Sequence, residues 1–140
     1  MIKTREIGIL IVRVIAGLLF ALHGWQKFQG GIGNTSGFFE SIGLPGILAP
    51  VVAIIELAGG IALILGLGTR IAGLALAVIM AGVLLTAKSG APIVGGMEYE
   101  LLLLAAAVQL LLTGSSLLAL DSLFSRSGRR KAAPAERSPV

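Results

Sequence analysis

Residues 48–86 read LAPVVAIIELAGGIALILGLGTRIAGLALAVIMAGVLLT. Across these positions there is one acid, Glu56, and one base, Arg70, and Arg70 lies in the glycine-rich break GLGTR. A helix climbs about 1.5 Å per residue and the hydrocarbon layer is about 30 Å thick, so roughly 20 residues make one crossing. The stretch is therefore long enough for two crossings joined by a tight turn, which sets the class as an all-α polytopic membrane protein.

Two further apolar segments flank it, at residues 7–22 and 99–118. The segments predicted to span are thus 7–22, 48–67, 71–86 and 99–118, the first and third reaching full length only with their flanks. Composition agrees. Of 140 residues, 56% are hydrophobic and 13% charged, with mean hydropathy +0.97, where a soluble domain carries about 25% charged residues. There are 0 cysteines, which excludes disulfides, Fe–S clusters, covalent haem and thiol redox chemistry within this chain. The single histidine, His23, cannot supply bis-His haem ligation, and scattered carboxylates make no metal-ligand motif. Any redox role falls to a bound cofactor, for which a quinone is the candidate, or to a partner.

Net charge is +4 and the pI about 10.1, yet the basic residues stand at the ends of apolar runs and in the tail. That distribution points to topology and lipid headgroups and not to nucleic acid. Lys3 and Arg5 precede the first span, Arg70 marks the short turn, and Arg126, Arg129, Arg130, Lys131 and Arg137 crowd the end; the other two loops hold only Lys27 and Lys88. By the positive-inside rule both termini and the Arg70 turn are cytoplasmic, which requires an even number of spans. A four-transmembrane-helix bundle satisfies charge and hydropathy together. The basic start MIKTRE before an apolar run has the form of a signal peptide, but Arg13 in mid-run argues for a retained span. Residues 125–140 are polar, proline-containing and aperiodic, and are expected to form a disordered basic cytoplasmic tail.

Between the first two spans lies GWQKFQGGIGNTSGFFESIGLPG, residues 24–46. Its glycines permit sharp turns and its aromatics suit an interface or a cavity mouth. SGFFESIG is predicted as a short helix opened by Ser36 as N-cap, and Trp25 as an interface anchor.

Ionisable residues within the spans cost a few kcal/mol at mid-membrane unless they find a partner or water. They are Arg13, Glu56 and Glu100, with His23 and Lys27 just beyond the first span. Gly17, Phe20, Gly24 and Lys27 fall within about 40° of Arg13 on a helix, so one face combines charge with small residues and is expected to point inward. Counting from the cytoplasmic side puts Arg13 at about 9 Å, Glu56 at about 17 Å, Glu100 at about 20 Å and His23 at about 24 Å. The last three share a slab in the outer half, toward which Arg13 and Lys27 reach with long side chains. Two readings stay open: a closed network specifying packing, with Arg13 paired to Glu56, or an outer-half pocket holding a ligand. Glu56 and Glu100 each precede a threonine by thirteen positions, Thr69 and Thr113, a weak echo of the kind that Leu/Ala/Gly-rich sequence yields by chance.

An arginine in the first span, then GLLFALHGWQKF, FFESIGLP, AIIELAGGIALILGLGTRIAGLAL, GGMEYELLLLAAAVQLLLTG and LALDSL: in this order the sequence resembles the DoxX family of small four-helix bacterial membrane proteins. The resemblance covers residues 7–124 and marks residues 1–124 as one DoxX-like domain. It implies the bacterial plasma membrane and an environment of redox chemistry. Relatives include a subunit associated with thiosulfate:quinone oxidoreductase and a member of a membrane complex with a superoxide dismutase and a sulfurtransferase. It carries no catalytic assignment, and whether the chain is itself an enzyme stays open.

The candidate ligand-binding or polar-network residues are Arg13, His23, Lys27, Glu56 and Glu100, and the candidate structural residues Trp25, Gly59, Gly60 and Arg70. The partners expected are the bilayer, soluble or membrane redox proteins and a second copy of the chain. Three functions remain in view: a membrane subunit of an oxidoreductase system binding a quinone or small sulfur or oxygen species, a scaffold recruiting partners through its tail, and a small transporter.

Overall fold

The computed structural model describes residues 3–115 and 118–123; the predicted tail, 125–140, lies outside the described residues. Among the described residues five α-helices follow in order, α1 Thr4–Gln29, α2 Ile32–Ser41, α3 Leu48–Leu65, α4 Thr69–Leu85 and α5 Glu98–Thr113, with a short π-helical stretch, Ile93–Met97, leading into the last. Four are apolar and form the bundle, while α2 is a short helix between the first two. By length and hydropathy α1, α3 and the stretch Ile93–Thr113 suffice to cross a membrane. α4 has 17 residues, about 25 Å at the helical rise, and lies antiparallel between α3 and α5.

The bundle is two antiparallel pairs, α1 on α3 and α4 on α5. Each pair is drawn together by glycine where no side chain fits. A Cβ on Gly17 would lie 2.6 Å from the Gly60 carbonyl oxygen, one on Gly60 would lie 2.5 Å from the Gly17 carbonyl oxygen, and one on Gly24 would lie 2.6 Å from the Leu57 nitrogen. In the second pair, a Cβ on Gly73 would lie 2.8 Å from the Ala107 carbonyl oxygen. Lipid tails are as apolar as leucine, so contact of this closeness supplies the attraction between helices that the hydrophobic effect does not. Phe20, Leu63, Leu76, Ala107 and Leu110 fill the centre.

The α3–α4 turn follows its sequence closely. Gly66 takes the left-handed conformation (φ 69°) and the Leu67 N–H returns to the Ala62 carbonyl at 2.9 Å, ending α3. Gly68 (φ 56°) then starts α4.

Three boundaries differ from those expected. The helix of the first span does not stop at Leu22 but runs through His23, Gly24, Trp25 and Lys27, because Gly24 is docked on the backbone of α3 and this keeps the extra turns in contact. α2 begins at Ile32 and not at Ser36: Gly31 (φ 89°) makes the turn, the Asn34 N–H bonds the Gly31 carbonyl at 3.0 Å, and the Asn34 amide bonds that of Gly30 at 2.7 Å. The last span ends at Thr113, where Gly114 (φ 67°) turns the chain, short of the expected 118.

Candidate functional site

Lys27 lies in the last turn of α1 and Glu56 in the middle of α3. Their contact follows from the fold: with Gly24 seated against Ala53 and Leu57, the next turn of α1 places Lys27 over Glu56. Lys27 Nζ donates to Glu56 Oε2 at 2.6 Å, and Glu56 is 2% exposed. A charge-assisted bond of this length is among the strong ones, and it answers the desolvation of a carboxylate this deep.

A second group lies beside it. His23 Nδ1 is 2.8 Å from the Leu19 carbonyl oxygen; a carbonyl only accepts, which assigns the hydrogen to Nδ1. The Tyr99 hydroxyl is 3.2 Å from the same nitrogen, and the two rings lie 5.3 Å apart. Next to Tyr99 along α5, Glu100 Oε1 is 3.6 Å from Lys88 Nζ, while Glu100 Oε2 is buried with no hydrogen-bond partner among the described residues. Lys88 also donates to the Gly96 carbonyl at 3.3 Å. His23 and Lys27 stand one turn apart on α1, so the two groups lie side by side and form one polar layer.

Beside this layer opens a cavity of about 710 Å³. Phe38 and Phe39 of α2 and Ile42 just past its end cover it, Leu48 and Val52 of α3 and Val78, Ile79 and Val83 of α4 wall it, and its polar lining includes Lys27, Glu56 and Lys88. His23, against Tyr99 in the α1–α5 seam, and Glu100, against Lys88, do not line it. The cavity is mostly apolar, with a few polar groups converging on it, the usual make-up of a small-molecule site, and its volume falls within the usual range of about 300–1,000 Å³.

Arg13 belongs elsewhere. It is 1% exposed, and its guanidinium donates to the Leu118 carbonyl at 2.9 Å and feels the Asp121 carboxylate. The expected reach toward Glu56 is not made: the chain past α5 folds back under the bundle and meets Arg13 at its own depth. The same segment caps α4, with the Gly68 and Thr69 N–H groups donating to the Asp121 carboxylate at 2.9 and 3.3 Å, a favourable place for negative charge. Thr69 donates to Ser115 at 2.7 Å. Asp121→Ala is expected to lower stability by about 1 kcal/mol, read as a drop in the thermal midpoint in detergent; an unchanged midpoint would remove the cap from the account.

Of the structural candidates, Gly60 faces α1 and Gly59 packs against Leu76 of α4, so both close the bundle from within. Arg70 passes Gly114, and Trp25 is half-exposed on the outside of α1. Sequence reasoning missed Tyr99 and Asp121 and counted Lys88 only as a loop charge. The one tyrosine beside an intramembrane glutamate, and the acid that closely follows the last span, were the available signals. Among the described residues no group of His, Asp and Glu is placed to hold a metal ion.

Apolar helices of spanning length in antiparallel array define a multi-pass helical membrane protein. The chain belongs to the DoxX family, whose sequence profile matches residues 8–89. It is 50% identical over 119 residues to the Bacillus subtilis protein named putative oxidoreductase CatD, covering 85% of this chain and 88% of that one. It is 37% identical over 68 residues to the Escherichia coli inner membrane protein YqjF, covering 49% of this chain and 52% of the relative. Over 91 residues it is 33% identical to an uncharacterized Mycobacterium tuberculosis membrane protein, Rv3486, covering 64% and 56%. No solved structure gives a significant match.

Proposed function

We propose that the chain is a bacterial plasma-membrane component of a redox system and that it holds a quinone in the cavity between α2, α3 and α4. The observation that carries this reading is the Lys27–Glu56 pair set in a mostly apolar cavity of about 710 Å³. An apolar ring with carbonyl acceptors matches such a lining, the ring against Phe38, Phe39 and Val83 and the acceptors toward ammonium donors. A small sulfur oxyanion matches it less well, since most of the wall offers it no hydrogen bond. When bound, a quinone supplies two-electron, two-proton carriage between membrane partners. The chain contributes binding, orientation and exclusion of water, and the 50% identical relative named as an oxidoreductase supports a redox setting.

The test is titration of a short-chain benzoquinone into the protein in lipid nanodiscs, followed by calorimetry. Saturable binding is expected for the native chain. Val83→Trp, which fills the cavity from the α4 side, is expected to reduce affinity by at least about tenfold with the bundle still folded. Equal binding by both proteins would place the ligand elsewhere.

A further inference from the structure

The two lysines that line the cavity are held differently. Lys27 is 2.6 Å from a carboxylate whose side chain is 3% exposed, while Lys88 is 3.6 Å from its carboxylate and its own side chain is 38% exposed. A separation of 3.6 Å exceeds a hydrogen bond and lies well beyond the roughly 2.7–2.9 Å of a charge-assisted one. The other tie of Lys88, to the Gly96 carbonyl, is long at 3.3 Å. Lys88 stands in the linker after α4, which ends at Leu85, and this linker carries positive φ at Gly90 and Gly95. Lys27 is fixed in the last turn of a 26-residue helix.

We infer that Lys88 is the cation that engages the ligand of this cavity, and that Glu100 competes with the ligand for it. The inference rests on the cavity being a ligand site, as proposed above, and adds which of its charges does the recognition. Drawing Lys27 to a ligand would strip Glu56, buried in the middle of α3, of a short ion pair. Drawing Lys88 across costs one loose contact and one long hydrogen bond. The competitor is placed for this, since one oxygen of Glu100 is buried with no hydrogen-bond partner among the described residues and the other faces Lys88 beyond hydrogen-bond distance. The ligand recognised is an apolar molecule with an oxygen acceptor at one end, the carbonyl of a quinone head being the case that fits the lining.

The roles give effects of opposite sign. In the same titration, Lys88→Met is expected to weaken binding of a short-chain benzoquinone by about tenfold, the loss of one charge-assisted hydrogen bond. Lys88→Arg keeps a donor and is expected to restore most of it. Glu100→Gln is expected to tighten binding by about threefold, because it releases Lys88 from its competitor. In the Lys88→Met background the same change is expected to do nothing. An alkylbenzene of matched tail, which lacks the acceptor, is expected to bind the native chain and Lys88→Met alike. If Glu100 were only structural, Glu100→Gln would weaken binding or leave it unchanged, and either result overturns the competition. Unchanged affinity in Lys88→Met overturns the assignment of Lys88 while leaving the cavity as the site. No quinone binding by the native chain overturns the site itself and this inference with it.

Discussion

Lys27→Met is expected to destabilise the bundle by about 3 kcal/mol, the usual consequence of leaving one partner of a buried ion pair behind. Glu56 is 2% exposed and takes its ion pair from Lys27; without it the carboxylate sits within the span with no ion-pair partner among the described residues, a situation that costs about 2.5–3.5 kcal/mol on insertion scales. The same reasoning predicts recovery: Lys27→Met combined with Glu56→Leu removes both charges and should return most of the lost stability, since apolar replacement of a whole pair is close to neutral. Thermal unfolding of the four proteins in one detergent, the native chain, both single variants and the double, closes the cycle. A Lys27→Met midpoint equal to the native one would show that Glu56 is solvated through the cavity and needs no partner.

The second large effect is at Gly60. A Cβ there would meet the Ala21 nitrogen, and it would lie 2.5 Å from the Gly17 carbonyl oxygen, both backbone atoms of α1. No rotamer change relieves a clash with backbone, so Gly60→Val must push α1 off α3 and weaken the Gly24 and Lys27 contacts together. A loss at or above the upper end of overpacking penalties, about 3 kcal/mol, is expected, seen as failure to recover monodisperse protein. The adjacent Gly59→Ala gives the contrast. Its Cβ would lie 3.3 Å from the Leu76 side chain, a neighbour that can shift, so a change under about 1 kcal/mol is expected. Neighbouring glycines with such different outcomes separate close backbone approach from small-residue composition as the cause.

How far these features were legible in sequence depends on the range over which each is specified. α3, α4 and their turn were readable because hydropathy, the left-handed Gly66 and the Arg70 charge lie within a few residues of the structure they set. The far end of α1 was not, since HGWQK is polar enough to look like a loop and is kept helical by contacts with α3, some thirty residues on. For Lys27 and Glu56 the sequence offered only a reach of the lysine toward the slab that holds Glu56, and not the pair itself. Arg13 was expected on an inward face, and its pairing with Glu56 was one of two readings left open; its observed partner was out of reach of sequence, because the oxygen it meets is the backbone carbonyl of Leu118, which has no side-chain signature. The cavity was legible only as a possibility, in loop aromatics that suit a cavity mouth; its walls were not, because Val52 and Val83 are ordinary apolar residues until the helices bring them round one space.

The central claim is that this space holds a quinone, and native mass spectrometry of the protein released from its membrane in mild detergent tests it most directly. The account predicts a prenylated quinone retained at one copy per chain in the native protein and absent from Val83→Trp. Native protein that keeps its phospholipids but carries no quinone, or Val83→Trp that carries as much as the native chain, would contradict it.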